Sequence, residues 1–390
     1  MALTHRVTLL NGALFATMVA VLGAAGLVRS VDFRAEPGLS VVRGALAHAF
    51  ENHYDETFPA KRMGVNLWAA VDYGLFREGL PGVIVGKDGW LYTDEEFKLD
   101  NDSATLVRRN LALIDWVKRE LERQHVALVV AVVPAKARIY PEYLGSRQPP
   151  ALRQMLYPQM ISQLRASGVN TVDLREPLQD GKRRNATYLR TDTHWTPFGA
   201  RLSAQAIAGQ TGHVADASGN FHTIAGAPAM HRGDLFNFLP LDPWFGWMLP
   251  APDVLTPVQT AADAKGNDLL GDTPRAQVAL VGTSYSAEAN WNFAGALEQA
   301  LHTDVLNYAR DGNGPFEPML AYLHSADFRA SPPRLVIWEV PERYMPLPQT
   351  ALAAYHLPPD AWIPRVAASA ATGGNPAREG GSTSHVQSNL

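Results

Sequence analysis

The segment Arg190-Thr191-Asp192-Thr193-His194-Trp195-Thr196-Pro197 gathers the residue types of an acid–base relay within a few positions. In an extended chain, residues two apart face the same side, about 6–7 Å apart at Cα. Asp192 can then reach one imidazole nitrogen of His194, fix its tautomer and leave the other nitrogen free as a base. That is the Asp–His half of a nucleophilic triad. Two other uses of the same residues stay open. Asp192 or Thr196 can cap a helix entered at Pro197, and Asp192 with His194 can ligate a metal. No H-x-x-x-H or comparable partner set accompanies them, and His213, His222 and His231 fall in an irregular stretch, so no metal and no cofactor are expected.

A nucleophile for that base is offered by Val281-Gly282-Thr283-Ser284-Tyr285-Ser286, directly after an apolar run and before a helical one. In open α/β sheets, functional groups collect where strands end and loops turn into helices. Ser284 there points its hydroxyl off the sheet edge, and the helix start behind it offers backbone N–H groups to an oxyanion. The stretch is not a G-x-S-x-G elbow, since Ser286 stands where the last Gly would be. Serines that merely cap a helix read the same way, and Ser286 is the better cap. A third strand-end loop, 307–315 (NYARDGNGP), places Gly312 where a backbone N–H can approach substrate as a second oxyanion donor. An ordinary Gly-rich turn has the same composition.

These three loops need a scaffold, and the chain alternates strand and helix patterns to build one. Strands are expected at 83–85, 90–92, 126–133, 169–174, 277–281, 305–308 and 335–340. Helices are expected at 41–53, 61–76, 152–167, 197–208, 287–301 and 316–323, with a long amphipathic one, capped by Ser103, that buries Leu106, Leu111, Leu113, Ile114, Val117 and Leu121. This βαβα rhythm predicts a mainly parallel sheet flanked by helices. The Gly/Pro/Asp-rich stretch 211–275 reads as an insertion, with Phe236, Phe238, Trp244, Phe245 and Trp247 serving local packing or a binding face.

Ahead of that body, residues 7–28 carry no charge and are flanked by Arg6 and Arg29. A helix of that length crosses a hydrocarbon core of about 30 Å, and the run is longer than the apolar region of most signal peptides. An uncleaved anchor is therefore expected; a cleaved signal peptide is the alternative, and charge counting does not orient the segment. The tail from Ala367 has the composition of a disordered segment. The chain has 390 residues, 46% hydrophobic, with 34 Lys+Arg against 38 Asp+Glu and no cysteine. That balance argues against a general nucleic-acid binder. The missing cysteine excludes thiolate zinc sites and a thiol nucleophile.

Together these motifs resemble the alginate O-acetyltransferase family, the membrane-anchored AlgJ type and its secreted relative AlgX, within the SGNH-hydrolase-like group. The stretches that carry the resemblance run from Asn52 to Tyr344 and include GKDGWLYTDEEF, VVPAKARIYPEYL, RTDTHWTPFGA, GTSYS and IWEVPERYM. The resemblance implies an SGNH-hydrolase-like fold in a permuted arrangement, with Asp192 and His194 preceding Ser284 as the triad. It implies acetyl transfer through an acetyl-serine to mannuronate hydroxyls of alginate or a related exopolysaccharide. A membrane-bound O-acyltransferase would be the acetyl source, beside other polysaccharide-secretion proteins, with the catalytic domain in the periplasm and the anchor in the inner membrane. The same triad would serve a polysaccharide acetyl esterase, and a silent membrane-tethered scaffold is the non-enzymatic alternative. Trp195, Trp291, Arg310 and Tyr344 become candidate sugar contacts, and Lys136 and Arg138 either meet uronate carboxylates or make surface ion pairs. The expected division is 1–29 anchor, 30–80 helical lead-in, 81–345 transferase domain and 346–390 C-terminal extension. The AlgX type adds a carbohydrate-binding module, for which the residues after 344 are too few.

Overall fold

Apolar runs of strand length organise the chain. The computed structural model describes residues 2–211, 219–263 and 277–362. His213 and the tail from Ala367 lie outside them. The order begins with α1 (Ala2–Arg29), α2 (Ala45–Thr57) and α3 (Lys61–Val71), the last two on either side of Pro59. The hairpin β1 (Val83–Val85) and β2 (Leu91–Thr93) follows, then α4 (Ser103–Arg123), β3 (Ala127–Val133), α5 (Lys136–Ile139), α6 (Ala151–Ala166), β4 (Asn170–Asp173), α7 (Arg175–Lys182) and α8 (Pro197–Thr211). Four short strands come next: β5 (Phe221–Ala225), β6 (Ala229–His231), β7 (Asp253–Leu255) and β8 (Val258–Ala262). The chain continues through β9 (Val278–Val281), α9 (Ser284–Ala287), α10 (Phe293–Leu301), β10 (Val305–Asn307), α11 (Phe316–Leu323), α12 (Ala326–Ala330) and β11 (Leu335–Pro341).

Strands β10, β9, β11, β3 and β4 lie side by side in that order, and every neighbouring pair is parallel. The reason is visible in the runs themselves. All of β11 and nearly all of β3 are buried, the pattern of strands covered on both faces. Val129, Ala131 and Val133 pack into one core with residues of α8 and α10. Val130 and Val132 alternate into the other, with α4, α6 and α11.

Local differences from the sequence reading have physical causes. Ser103 does not cap α4: Asp102 holds the cap position, and the Ser103 hydroxyl donates to the Pro346 carbonyl at 3.3 Å, tying the helix start to the segment after β11. The 287–301 helix is broken by a turn at Ala289–Trp291 and by Asn292 at φ +51°, which lets the Trp291 ring turn inward. The 211–275 stretch is more regular than expected, since β5 pairs with β8 and β6 with β7, both antiparallel.

Lys136 shows how this scaffold fixes a loop. Its side chain is fully buried, and its ammonium donates to the carbonyls of Leu91 (2.6 Å), Arg190 (2.9 Å) and Asp192 (2.8 Å). Burial lowers its pKa to about 8, against the opposing charges of Glu96 and Asp192. Arg138 is likewise committed, in a two-pronged bond to Glu342 at 2.8 Å. Neither is a free cation for a sugar carboxylate. Replacing Lys136 with Met takes the ammonium donor away from three carbonyls, of which that of Arg190 keeps Leu91 N–H at 3.0 Å, and should cost on the order of 3 kcal/mol or more. A urea-denaturation midpoint measures it; a loss below about 1 kcal/mol would be that of a surface contact and would contradict this role.

Candidate active site

A tight hairpin between Thr187 and Thr196 carries Asp192 and His194. Leu189 N–H donates to the His194 carbonyl (3.1 Å), Thr196 N–H to the Thr187 carbonyl (3.0 Å), and Tyr188 pairs with Trp195 in an antiparallel bridge. Lys136 draws the tip inward from behind. At that tip Asp192 Oδ1 accepts the His194 backbone N–H at 2.9 Å and lies 2.7 Å from His194 Nδ1. The capping role falls to Thr196, whose hydroxyl oxygen accepts from Gly199 N–H at 3.1 Å. Asp192 is thereby left for the imidazole.

Ser284 reaches the same imidazole from the sheet. It follows β9, and its Oγ lies 2.7 Å from His194 Nε2. The turn that aims it is held by Glu339, a fully buried carboxylate near the end of the central strand β11. Glu339 accepts from Thr283 N–H (2.7 Å), the Thr283 hydroxyl (3.0 Å) and the Ser286 hydroxyl (3.1 Å). Thr283, not Ser286, supplies the side-chain cap of α9. Gly282 is required here because a Cβ would collide with the Glu339 carboxylate. Burial raises the Glu339 pKa, and the Thr283 and Ser286 donors oppose that shift.

Asp192 Oδ2 accepts from His231 Nε2 (2.9 Å) and from Asp234 N–H (3.0 Å). Both donors come from the insertion, one at the end of β6. Burial by itself raises the Asp192 carboxyl, but the hydrogen bonds from His194 and His231 outweigh it and hold the group far below the usual carboxylate range. The bond to Asp192 raises His231 against its partial burial, and burial with the Asp192 charge raises Asp234. An ionised Asp192 keeps the His194 proton on Nδ1, so Nε2 is free to accept the Ser284 proton. Asp192, His194 and Asp234 bring ligand atoms within 4.8 Å of one another, the spacing of a metal site. Each Asp192 oxygen already accepts two N–H groups, and Asp234 accepts Thr193 N–H at 2.8 Å. The donor set is that of a hydrogen-bonded relay, and a cation there would have to displace it.

The expected sugar contacts divide. Trp195 is 0% and Trp291 1% exposed, so neither offers a ring face to a polymer. Trp195 packs against Tyr285 and Phe293, at centroid distances of 5.0 and 4.7 Å. Trp291 stacks on the His194 ring at 5.0 Å, and its indole N–H donates to the Ser284 carbonyl at 3.3 Å. These tryptophans hold the relay instead. Arg310 is exposed and bonds Glu317 at 3.3 Å. Tyr344 is half-buried and accepts from Arg343 at 3.1 Å, and Arg343 also donates to the Tyr285 hydroxyl at 3.1 Å. Gly312 stands exposed at φ +76°, with no hydrogen bond to Ser284; its loop reaches the nucleophile turn through Arg310 N–H, which donates to the Gly282 carbonyl at 3.1 Å. Ser284 N–H has no acceptor among the described residues. His231, Asp234, Glu339 and Lys136 were not singled out for these positions from sequence, since no local spacing links them to the motifs they support.

The charge network sets a pH dependence of stability. Asp192 has a folded-state pKa below its unfolded value, so its stabilisation is present above about pH 3.9 and is lost as pH falls further. His231 has a raised folded-state pKa, so its stabilisation is complete below about pH 6.5 and is lost as pH rises through the folded value. Urea titrations at several pH values should show that His231→Gln flattens the upper decline. Asp192→Asn should remove both limbs, because the His231 shift originates in Asp192.

The family model described as an SGNH hydrolase-like domain, acetyltransferase AlgX, matches residues 83–342. A protein of Pseudomonas aeruginosa named probable alginate O-acetylase AlgJ is 49% identical over 341 residues, 84% of this chain and 87% of that one. The solved O-acetyltransferase domain of Pseudomonas putida AlgJ superposes with a TM-score of 0.64 at 48% identity, covering 69% of this chain and 94% of the other. Pseudomonas aeruginosa AlgX gives a TM-score of 0.52 at 28% identity, over 70% of this chain and 64% of that one. The chain belongs to the AlgX-type family of SGNH-hydrolase-like acetyltransferases.

Proposed function

We propose that this chain transfers acetyl groups, through an acetyl ester on Ser284, to hydroxyls of mannuronate units in alginate. The observation that carries the reading is the continuous relay Asp192–His194–Ser284, made of two 2.7 Å contacts. His194 Nε2 takes the Ser284 proton as Oγ attacks the acetyl carbonyl carbon. The tetrahedral intermediate then expels the donor's oxygen, to which His194 returns the proton. Asp192 steadies the imidazolium formed between these events. Ser284 N–H is the oxyanion donor we assign first, and the loop bearing Gly312 is the candidate for the second. In the second half-reaction His194 deprotonates a sugar hydroxyl, its oxygen attacks the acetyl carbon, and the bond to Oγ breaks as Ser284 recovers its proton.

The same route serves water as acceptor in an esterase. Ser284 and His194 are only 5% and 4% exposed, which favours an acceptor that is bound and oriented over bulk water. The names of the AlgJ relatives support acetylation of alginate in particular. On this reading residues 1–29 are an uncleaved inner-membrane anchor and 81–345 the transferase domain in the periplasm. A membrane-bound O-acyltransferase delivers the acetyl group, and other polysaccharide-secretion proteins work alongside. The apolar helix segment Leu9–Arg29, long enough to cross a membrane, supports the anchor.

Ser284→Ala should lower polymer acetylation by at least about a thousandfold while leaving the protein folded. Acetylation persisting at the normal level would rule out catalysis by Ser284. Reconstitution with the membrane-bound donor and oligomannuronate should yield acetylated sugar; release of free acetate alone would make the protein an esterase.

A further inference from the structure

The relay leaves the surface of α3 unexplained. Asn66 and Ala70, with Tyr73 just beyond, face the interior, and a helix with such a stripe ordinarily carries charge on its other side. Between Met63 and Val71 there is no charged residue. Met63, Val65, Leu67 and Trp68 stand exposed, and Leu75 and Phe76 extend the strip. A groove walled by Arg29, Glu56, Arg62, Val65, Asp242 and Trp244 brings the exposed Trp244 beside it, and Trp247, three residues further on, is exposed as well. Single exposed apolar side chains are ordinary, but this many on adjoining turns of one helix, with Met63 and Leu67 on one side and Val65 and Trp68 on the next, mark an interaction surface.

Contacts with α1 indicate what the strip faces. The Tyr54 hydroxyl of α2 donates to the Gly23 carbonyl of α1 at 3.3 Å. Its ring fills the space where a Cβ on Gly26 would come within 2.8 Å. The hydroxyls of Ser30 and Thr57 hydrogen-bond at 2.9 Å. Gly23 belongs to the Leu9–Arg29 segment, so Tyr54 sits at the depth where that helix leaves the hydrocarbon, and α3 begins a few residues later. Tyr and Trp concentrate at that depth in membranes. Arg29 at the end of the span and Arg62 on the groove wall suit anionic headgroups, with their stems along the apolar surface; of the two acids on that wall, Glu56 and Asp242, the latter is paired with Arg232 at 2.9 Å.

We infer that α3, with Leu75, Phe76, Trp244 and Trp247, lies in the headgroup–acyl boundary of the bilayer that α1 crosses. The occupant of the strip is the lipid surface itself. This rests on the reading of α1 as an uncleaved anchor. It makes the lead-in a membrane-seated base that fixes the orientation of the catalytic body, in place of a free tether.

The absence of cysteine makes the test direct, because a single introduced thiol is the only labelling site. Leu14→Cys, Trp68→Cys, Trp247→Cys and Ser331→Cys, each in the full chain, are labelled with a nitroxide. They are then reconstituted in vesicles of phosphatidylethanolamine and phosphatidylglycerol. Positions 14, 68 and 247 should lose relaxation by a water-soluble nickel complex and gain it from oxygen, while position 331 does the reverse. If 14 is shielded but 68 and 247 are as open to nickel as 331, the inference is overturned and the anchor stands. If 14 is itself open, the anchor reading fails and takes the inference with it. Shielding of 68 and 247 that needs a co-reconstituted membrane protein would make that protein the occupant and overturn the lipid assignment. Circular dichroism reports whether each variant folds, and Val65→Cys, three residues earlier on the same face, replaces Trp68→Cys if it does not.

Discussion

A carboxylate removed from water must be surrounded by donors or it will not stay ionised. Asp192 has four: the backbone N–H and Nδ1 of His194, the Nε2 of His231 and the backbone N–H of Asp234. These arrive from two parts of the chain that do not fold onto each other for any local reason. The 187–196 hairpin supplies one pair and the insertion the other. Asp253, from β7, adds a further tie by accepting from Thr191 N–H at 2.8 Å and from the Thr191 hydroxyl at 2.6 Å. The insertion is therefore the second wall of the relay, and its position is dictated by the charge it helps to hold.

The opposite wall is the sheet. Glu339 brings a second buried carboxylate up the central strand, and it grips the Thr283–Ser286 turn from below. One acidic group fixes His194 and another fixes the turn that bears Ser284, with the Trp291 ring stacked on His194 and its indole N–H bonded to the Ser284 carbonyl. Because the supports are packed and hydrogen-bonded, the three reacting groups are held on rigid elements, as acyl transfer to a bound acceptor requires. The cost is a site with little solvent access, which suits a transferase better than a hydrolase.

The α/β body and the lead-in helix α3 also meet through the insertion. Asn66 of α3 donates to the Pro240 carbonyl, and Ala70 and Tyr73 share a core with Leu235, Phe236, Leu239 and Leu241. The segment that reaches Asp192 through His231 and Asp234 thus also rests on α3. The packing of α3 on the body and closure of the relay are built from one stretch of chain.

Local pattern was enough to reveal the doubly covered strands, because β3 is a continuous apolar run and β11 one broken by Glu339 alone, the pattern of strands buried on both faces. It was also enough to bring Asp192 and His194 together, because their spacing is short and the turn preserves it, and to place Ser284 at a strand end. The tertiary structure decided everything that depends on partners distant in sequence. It turned Trp195 and Trp291 from sugar contacts into packing, gave Lys136 three carbonyls in place of a uronate, and supplied His231 and Glu339 as supports no motif predicts. The physical reason is that periodicity and spacing report a residue's near neighbours along the chain. The need of a buried charge or N–H for a partner is met wherever the fold brings one.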